Sequence, residues 1–328
     1  MPEMTYRDAL NLALKEEMRR DPSVVTWGED VALYEGAFKV TRGLLAEFGE
    51  ERVKDTPISE NTIIGVAIGA AMGGLRPVAE LMTVNFALLA MDQLINHMTK
   101  IRCMFGGQVN LPMVVRAPGG GGSQLAAQHS QSLETFFMHA PGMYVAVPAT
   151  PADARGLLKA AIRDDNPIMF LEHELLYNSK GEVPEDPDFI IPFGQADVKR
   201  AGKDVTIVAY SRMTILALAA AVELDKEGIS CEVIDLRTLN PLDAATFTES
   251  VRKTGRGVVV EECWRTCGLG AEIASCIYES CFDRLLAPIQ RVSGLDVPMP
   301  YSRHLEKLCI PQVEDIVKAV KYSMEAKY

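Results

Sequence analysis

Glu60 is the acidic residue of this sequence whose surroundings most favour proton transfer. It lies in Pro57-Ile58-Ser59-Glu60-Asn61, where a loop leads into a helix, with isoleucines at positions 58, 63 and 64. A carboxyl group held in apolar surroundings has a raised pKa and can share a proton with a heterocyclic nitrogen. The alternative interpretation is an ordinary first-turn acid that interacts only with the helix dipole.

His129 is a second candidate for catalysis. It follows the glycine run Gly119–Gly122 in the polar stretch Gln128-His129-Ser130-Gln131. Glycine runs allow the backbone to approach a ligand closely, and imidazole changes its charge near neutral pH. The run lacks the GxxxxGK[ST] pattern of a phosphate loop, and the pair Gly268-Leu269-Gly270 lacks the third glycine of a dinucleotide fingerprint. Neither a phosphate loop nor a nicotinamide site is therefore predicted, and an ordinary loop histidine is the alternative at position 129.

Three glycines, Gly65, Gly69 and Gly73, lie four residues apart on the helix that follows Glu60. Each glycine costs a helix interior about 1 kcal/mol relative to alanine, so three on one face need a physical reason. Close approach of another helix is that reason, either across a subunit interface or within the same domain.

The elements that must position these residues alternate between strand and helix patterns, as in a parallel sheet covered by helices. Helix starts are indicated at Thr5 with Asp8 and at Thr150 with Pro151 and Asp153. The elements predicted around the candidate residues are a strand Val24–Trp27, a helix Asn61–Met72, a strand Pro77–Met82, a long helix Phe86–Phe105 and a strand Leu111–Arg116.

A second alternation follows the segment 178–196, which lacks periodicity and contains Pro184, Pro187 and Pro192. Such a composition is typical of a linker. We therefore predict an α/β protein of two domains, residues 1–177 and 197–328, joined by residues 178–196.

Composition excludes several classes of protein. The net charge of −11 argues against nucleic-acid binding, which needs basic surface. The seven cysteines include no CxxC pair, so we expect reduced thiols and no structural zinc or iron–sulfur centre. No apolar run is long enough to span a membrane, and the N-terminus resembles neither a signal peptide nor a transit peptide. We expect no membrane association and a cytoplasmic location, or else a mature organelle form.

Six ordered motifs together resemble the β subunits of the thiamin-diphosphate-dependent 2-oxoacid dehydrogenases, and the resemblance covers nearly the whole chain. They are Trp27-Gly28-Glu29-Asp30-Val31, residues 36–44, Asp55–Glu60, Gly73–Pro77, Ala127–Gln131 and Ala161–Pro167. The resemblance implies a pyrimidine-binding N-terminal domain with a doubly wound parallel sheet and a transketolase-like C-terminal domain.

The resemblance also implies roles for individual residues. Glu60 would contact the aminopyrimidine ring of thiamin diphosphate, where proton exchange activates the cofactor. Phe86 would pack on that ring, Met82 would line the same pocket, and Glu29 would be a further cofactor-binding residue. His129 would face the substrate and orient the acyl group or assist its transfer to lipoamide.

A structural potassium site is implied at the turn that ends a helix near residue 163. Its ligands would come from Met113, Ala161, Ile162, Asp164 and Asn166, and oxygen ligands of this kind suit a hard cation. An ordinary helix C-terminus is the alternative.

The family's diphosphate-and-magnesium motif, a Gly-Asp-Gly followed further on by Asn, is absent from this sequence. The resemblance therefore implies that Mg²⁺ and the diphosphate are held mainly by an α subunit, within an α2β2 heterotetramer. It also implies a second partner, the lipoyl-bearing acyltransferase core. Leu89 stands where relatives often carry Glu or Gln near the cofactor, so a proton relay through that position is not expected here.

Pyruvate is the expected substrate, with acetoin and branched-chain 2-oxoacids as alternatives within the family. A single-chain transketolase-like or deoxyxylulose-phosphate-synthase-like enzyme is disfavoured, because such enzymes carry the diphosphate half in the same polypeptide. A noncatalytic electron-transfer or binding subunit would also suit the fold, but the contexts of Glu60 and His129 argue against it.

Overall fold

The computed structural model describes residues 1–326 and divides into two compact units. The first unit is Met1–Gly119 with Phe136–Phe193, and the second is Gly120–Thr135 with the chain from Gly194 onward. The segment 120–135, which carries His129, thus belongs to the second unit although the sequence around it belongs to the first. Nothing in the local sequence pattern indicates that this segment belongs to the second unit, because its assignment depends on contacts with distant residues.

The first unit is built on a parallel sheet with the strand order β6-β7-β5-β4-β2-β3, and β1 pairs antiparallel with β8. Its strands are β1 (Glu3–Thr5), β2 (Val24–Gly28), β3 (Val53–Asp55), β4 (Arg76–Glu80), β5 (Val114–Gly119), β6 (Tyr144–Ala146), β7 (Ile168–His173) and β8 (Lys180–Glu182). The helices are α1 (Tyr6–Arg20), α2 (Leu44–Phe48), α3 (Glu60–Met72), α4 (Ile101–Met104), α5 (Glu134–Met138, across the boundary at Thr135) and α6 (Pro151–Arg163).

The second unit has a five-stranded sheet with the order β14-β13-β10-β11-β9, parallel except for β9. The strands of this sheet are β9 (Asp197–Arg200), β10 (Val205–Ala209), β11 (Cys231–Asp235), β13 (Gly257–Trp264) and β14 (Gln290–Gly294), and the unit also contains the short strand β12 (Thr238–Asn240) outside it. Its helices are α7 (Arg212–Asp225), α8 (Ala244–Thr254), α9 (Leu269–Cys281), α10 (Arg303–Cys309) and α11 (Val313–Glu325). The predicted α/β class with parallel sheets in both halves is confirmed.

The helix starts predicted from sequence are present. The Thr5 hydroxyl accepts a hydrogen bond from the Asp8 amide at 3.1 Å. Thr150 and Asp153 form a reciprocal capping box, with Pro151 at the first helical position. These features satisfy amide groups that a helix N-terminus otherwise leaves without partners. Helices α1 and α6 then pack their apolar faces together in the core of the first unit.

The predicted long helix Phe86–Phe105 is wrong, because the chain forms three short helical segments there. Thr99 Oγ1 donates to the Ile95 carbonyl at 2.7 Å and Lys100 Nζ donates to the same oxygen at 3.1 Å. Side chains that bond to backbone carbonyls compete with the regular helical pattern. The segments are a 3-10 helix Val84–Ala90, a π-helix Asp92–Met98 and the short α4.

Strand β5 begins three residues later than predicted, at Val114 instead of Leu111. Pro112 lacks an amide hydrogen and cannot donate to a neighbouring strand. The Met113 amide instead donates to the Leu111 carbonyl at 2.8 Å, which makes a turn immediately before the strand.

Candidate functional site

The carboxyl edge of the first sheet brings several of the candidate residues to one place in the topology. Strands β4, β2 and β3 are neighbours and run parallel. Met82 follows β4, Glu29 follows β2 directly, and the chain after β3 leads to Glu60 at the start of α3. Loops at the carboxyl ends of adjacent parallel strands are the usual location of ligand sites in open α/β sheets.

Glu60 is the first residue of α3 and is only 4% exposed. The helix start is anchored to the sheet by Trp27, whose indole Nε1 donates to the Ile63 carbonyl at 3.2 Å. Ile63 and Ile64 are buried, as an apolar environment for the acid requires, but Ile58 is 81% exposed. The burial of Glu60 exceeds what a helix-dipole role needs, since a first-turn acid interacts favourably with the dipole at the surface too.

Glu29 is also buried and lies near enough to Glu60 for the two carboxyl charges to interact. Burial raises the pKa of the Glu29 carboxyl, and the charges of Glu60 and Asp30 raise it further. The Oε1 atom of Glu29 is buried without a hydrogen-bond partner among the described residues. A buried acceptor of this kind lacks a donor, and an aminopyrimidine supplies such donors through its amino group. The acid pair therefore suits a nitrogen heterocycle.

Met82 and Phe86 are half-buried and flank a short capped turn. The Thr83 hydroxyl accepts hydrogen bonds from the Asn85 amide at 3.4 Å and from Asn85 Nδ2 at 2.6 Å. This cap fixes the backbone between the end of β4 and the 3-10 helix that carries Phe86. The two residues leave apolar surface partly uncovered, as a ring-binding pocket would.

A buried ion cluster lies beneath the same edge, and sequence analysis did not detect it. Arg116 of β5 donates from Nε and Nη2 to Glu172 of β7, at 2.7 and 2.8 Å, and from Nη1 to Glu80 of β4 at 2.5 Å. The Tyr177 hydroxyl donates to Glu172 at 2.6 Å. Burial raises the pKa of Glu80, while Arg116 opposes the shift. The cluster ties together the ends of three strands that support the site.

His129 lies in the second unit, so the structure does not place it in the same unit as Glu60. Its side chain is half-buried, and its amide donates to the Ala126 carbonyl at 3.3 Å. Gln124 and Ala126 have φ angles of 58° and 62°. Residues other than glycine rarely adopt this conformation, and when they do, the surrounding structure usually holds them in it.

A cavity of about 570 Å³ opens beside the loop that carries His129. Ala127 and Gln131 of the loop form one side. The remaining wall comes from the ends of β13 and β14, with Trp264, Thr266, Asp296, Val297 and Pro298. The two loop residues that line the cavity, Ala127 and Gln131, lie two positions on either side of His129 in the sequence.

Four of the residues predicted to bind potassium lie at the end of α6 or in the turn after it, and the fifth, Met113, precedes β5. Asp164 Oδ1 accepts from the Asn166 amide at 2.7 Å and from Asn166 Nδ2 at 2.8 Å. The Ala161 carbonyl accepts from the Asp164 amide at 3.3 Å, and the Met113 carbonyl accepts from the Ile168 amide at 3.0 Å. Oxygen atoms of these types are the ligands that a hard cation prefers.

Arg76 already interacts with part of this oxygen set. Its Nη1 donates to the carbonyl oxygens of Ile162 at 3.1 Å and Asp164 at 2.9 Å, and its Nη2 donates to Asp165 Oδ1 at 2.5 Å. A cation at the turn would therefore share two carbonyl oxygens with a guanidinium group. The described residues contain no cluster of three or more His, Cys, Asp or Glu side chains that could hold a metal ion.

The glycine face of α3 is uncovered at its centre. Apart from the neighbouring residues and the backbone of its own helix, no heavy atom of the described chain lies within 4 Å of a Cβ built on Gly69, and at Gly73 only carbonyls of the same helix are close. Gly65 is near the Gln93 side chain. Packing inside the chain therefore does not account for glycine at position 69.

The side chain of Leu89, the position at which no proton relay is expected, is 65% exposed.

No helix in the described part of the chain is both long enough and apolar enough to span a bilayer.

Family models match both halves of the chain. The model described as transketolase, pyrimidine binding domain matches residues 2–180, and the one described as transketolase, C-terminal domain matches residues 194–316. Among solved structures, a chain titled split gene transketolase, inactive beta4 tetramer is 28% identical, with a TM-score of 0.79 over 99% of both chains.

Relatives named pyruvate dehydrogenase E1 component subunit beta are similar over almost the entire chain. The protein from Rhizobium meliloti is 52% identical across 98% of this chain and 70% of its own length. A mitochondrial subunit beta-2 from Oryza sativa subsp. japonica is 52% identical across 97% of this chain and 86% of its own length. The protein from Rickettsia felis is 51% identical across 97% of this chain and 98% of its own length.

Proposed function

The chain belongs to the family of pyruvate dehydrogenase E1 component β subunits, and we propose that it forms half of an active site for the oxidative decarboxylation of pyruvate. The family depends on thiamin diphosphate, and an E1 β subunit acts with an α subunit. The other half of the site, including Mg²⁺ and the diphosphate contacts, would come from that α subunit in an α2β2 assembly.

The observation that carries the proposal is the pair of buried acids, Glu29 and Glu60, at the carboxyl edge of the first sheet. Two carboxyl groups buried together are unfavourable unless one holds a proton or a bound group supplies donors. A noncatalytic subunit would have no need for such a pair. The pair suits the aminopyrimidine of the cofactor, whose amino group and ring nitrogen can engage both acids.

Glu60 is the residue that would exchange a proton with the pyrimidine ring nitrogen. Its place in the first turn of a helix anchored by Trp27 fixes the backbone that carries the carboxyl group, and its burial excludes competing water. Glu29 would accept from the amino group, which would give its buried oxygen a partner. Met82 and Phe86 would cover the ring with apolar surface. When bound, thiamin diphosphate supplies the nucleophilic carbon that attacks the 2-oxo group.

His129 would serve the later transfer of the acyl group to lipoamide on the acyltransferase core. Two observations support this role. The imidazole lies on a loop whose backbone is held in strained conformations, and a cavity beside that loop could admit a lipoyl chain. A histidine there can pass a proton near pH 7.

A structural K⁺ at the turn after α6 is a separate proposal. Asp164 and Asn166 with the nearby carbonyls supply suitable oxygens, and Arg76 would share two of them. A ligand that binds the native state raises stability in proportion to RT ln(1 + [L]/Kd). The thermal midpoint should therefore rise with K⁺ but not with equal concentrations of Li⁺, and an identical response to both ions would exclude a selective site.

The substrate is tested on the assembly reconstituted with its α subunit. We expect kcat/KM for pyruvate to exceed that for acetoin and for a branched-chain 2-oxoacid. A higher value for acetoin or for the branched substrate would assign the chain to one of those dehydrogenases, while still supporting the thiamin-dependent half-site.

A further inference from the structure

Two carboxylates, of the buried Glu306 and the partly buried Glu262, hold the glycine loop that carries His129. The loop comprises residues 120–131, and all the contacts described here lie within the second unit. Glu306 of α10 is 2% exposed, and its Oε1 accepts hydrogen bonds from the amides of Gly122 at 2.9 Å and Gln124 at 3.1 Å. Its Oε2 also accepts from the Gln124 amide, at 3.2 Å. One side chain thus holds both backbone amides.

Glu262 of β13 holds Gly121, the residue before Gly122. Its Oε1 accepts from the Gly121 amide at 2.6 Å and from Ser132 Oγ at 3.5 Å, and Ser132 directly follows the loop. Its Oε2 accepts from Arg212 Nη1 at 3.2 Å, so the carboxylate is itself fixed. A Cβ on Gly121 would lie only 2.7 Å from Ile310 Cδ1, so a larger residue at this position would require the Ile310 side chain to shift.

The geometry of the loop needs such external support. Gly120 and Gly122 have φ angles of 91° and 104°, and Gln124 and Ala126 adopt the left-handed region that side chains disfavour. A backbone of this shape points several amides to one side, where they attract an anion. In a phosphate loop the anion is a ligand, whereas here the carboxylates of Glu262 and Glu306 occupy that position.

We propose that Glu306 is a positioning residue, which fixes the strained segment Gly122–Ala126 and thereby sets the place of His129 for acyl transfer. The proposal rests on the proposed function of His129. Glu306 lies on a short helix far from His129 in sequence and acts only through the backbone. The chain between Gln124 and His129 is short, and the His129 amide donates to the Ala126 carbonyl. A shift at Gln124 therefore moves the imidazole.

Glu306→Gln and Glu306→Ala test the proposal in the reconstituted α2β2 assembly. Glutamine keeps one acceptor oxygen but turns an NH₂ group towards a backbone amide, and alanine removes both acceptors. Charge-assisted hydrogen bonds are the stronger kind. We expect hydrogen exchange at Gly122 and Gln124 to accelerate by about tenfold or more in Glu306→Ala, and less in Glu306→Gln.

The activity measurement compares a lipoyl acceptor with an artificial electron acceptor. Misplacement of a catalytic group by about 1 Å can cost up to about a hundredfold in rate. We expect the ratio of lipoyl-dependent to artificial-acceptor turnover to fall by about tenfold in Glu306→Ala, with Glu306→Gln intermediate. A residue needed only for folding would lower both rates together.

Glu232→Gln is the matched control. Glu232 is also buried in the second unit and also holds a glycine amide, that of Gly202 at 3.1 Å, but its other partners, Ser250 and Lys253, are outside the loop. We expect the control to leave the turnover ratio unchanged.

Three results would overturn the proposal. Unchanged exchange at Gly122 and Gln124 would show that Glu306 does not hold the loop. Faster exchange with a turnover ratio equal to that of the control would show that the loop does not position His129. A wild-type assembly without lipoyl-dependent turnover would remove the proposed function as well, and the exchange data would still report separately on how Glu306 holds the loop.

Discussion

The pKa of the Glu29 carboxyl is raised mainly by burial and, as the second cause, by the charge of Glu60. The two acids come from different elements, the loop after β2 and the start of α3, and the sheet order brings them together. An arrangement that disfavours two charges at once is maintained in proteins mainly where it serves binding or catalysis.

Glu60→Gln should lower kcat of the reconstituted assembly by roughly 10²–10⁴-fold, because an amide cannot exchange a proton with the pyrimidine nitrogen. Folding should survive, since glutamine has the same shape. Glu272→Gln, at an exposed first-turn acid of α9, is the control and should keep full activity. Near-normal kcat in Glu60→Gln would identify Glu60 as a helix-terminus acid only.

His129→Ala should impair acylation of lipoamide more than turnover with an artificial electron acceptor. The imidazole is expected to act after decarboxylation, at the step where the acyl group leaves. His97→Ala, at an exposed histidine of the first unit, provides the comparison. Equal losses in the two assays would place His129 at the first chemical step instead.

Arg116→Met should destabilise the first unit by about 3–5 kcal/mol, because it leaves Glu80 and Glu172 buried without their cation. Urea unfolding followed by Trp27 fluorescence in a Trp264→Phe background reports on that unit alone. Arg19→Met, which removes an exposed pair with Glu47, should cost at most about 1 kcal/mol. A similarly small cost at Arg116 would show that water or rearrangement compensates for the lost ion pairs.

Gly69→Leu should weaken the α2β2 assembly and lower the affinity for thiamin diphosphate without destabilising the chain itself. A Cβ at Gly69 meets no atom of the described chain beyond its own helix, so strain arises only if a neighbouring subunit packs there. Overpacking a tight contact costs about 1–3 kcal/mol. Sedimentation analysis would compare Gly69→Leu with the smaller Gly69→Ala. An intact tetramer with normal cofactor binding in both variants would place the interface elsewhere.

Features fixed by neighbouring residues could be predicted from the sequence. The capping box of Thr150 and Asp153 involves residues three apart, and the buried positions of Leu10 and Leu14 follow from helical periodicity. The prediction of one long helix through Ile95 was wrong. The side chains of Thr99 and Lys100 donate to the Ile95 carbonyl, and local helix propensity does not reveal such hydrogen bonds.

Features that depend on distant residues could not be predicted. The pairing of Arg116 with Glu172 and the contact of Glu306 with Gly122 join residues far apart in the chain. Glu306 lies in a short helix, α10, that sequence patterns did not indicate. The roles of Glu60 and His129 came from the family resemblance, and the structure adds the burial of Glu60 and the support of the His129 loop.

The central claim is that this chain contains only half of an active site. Thiamin-dependent decarboxylation of pyruvate should be measured with the purified chain alone and again after addition of the matching α subunit. We expect no turnover from the chain alone, because its sequence lacks the diphosphate-and-magnesium motif, and full turnover once the α subunit is present. Robust decarboxylation by the single chain would contradict the account.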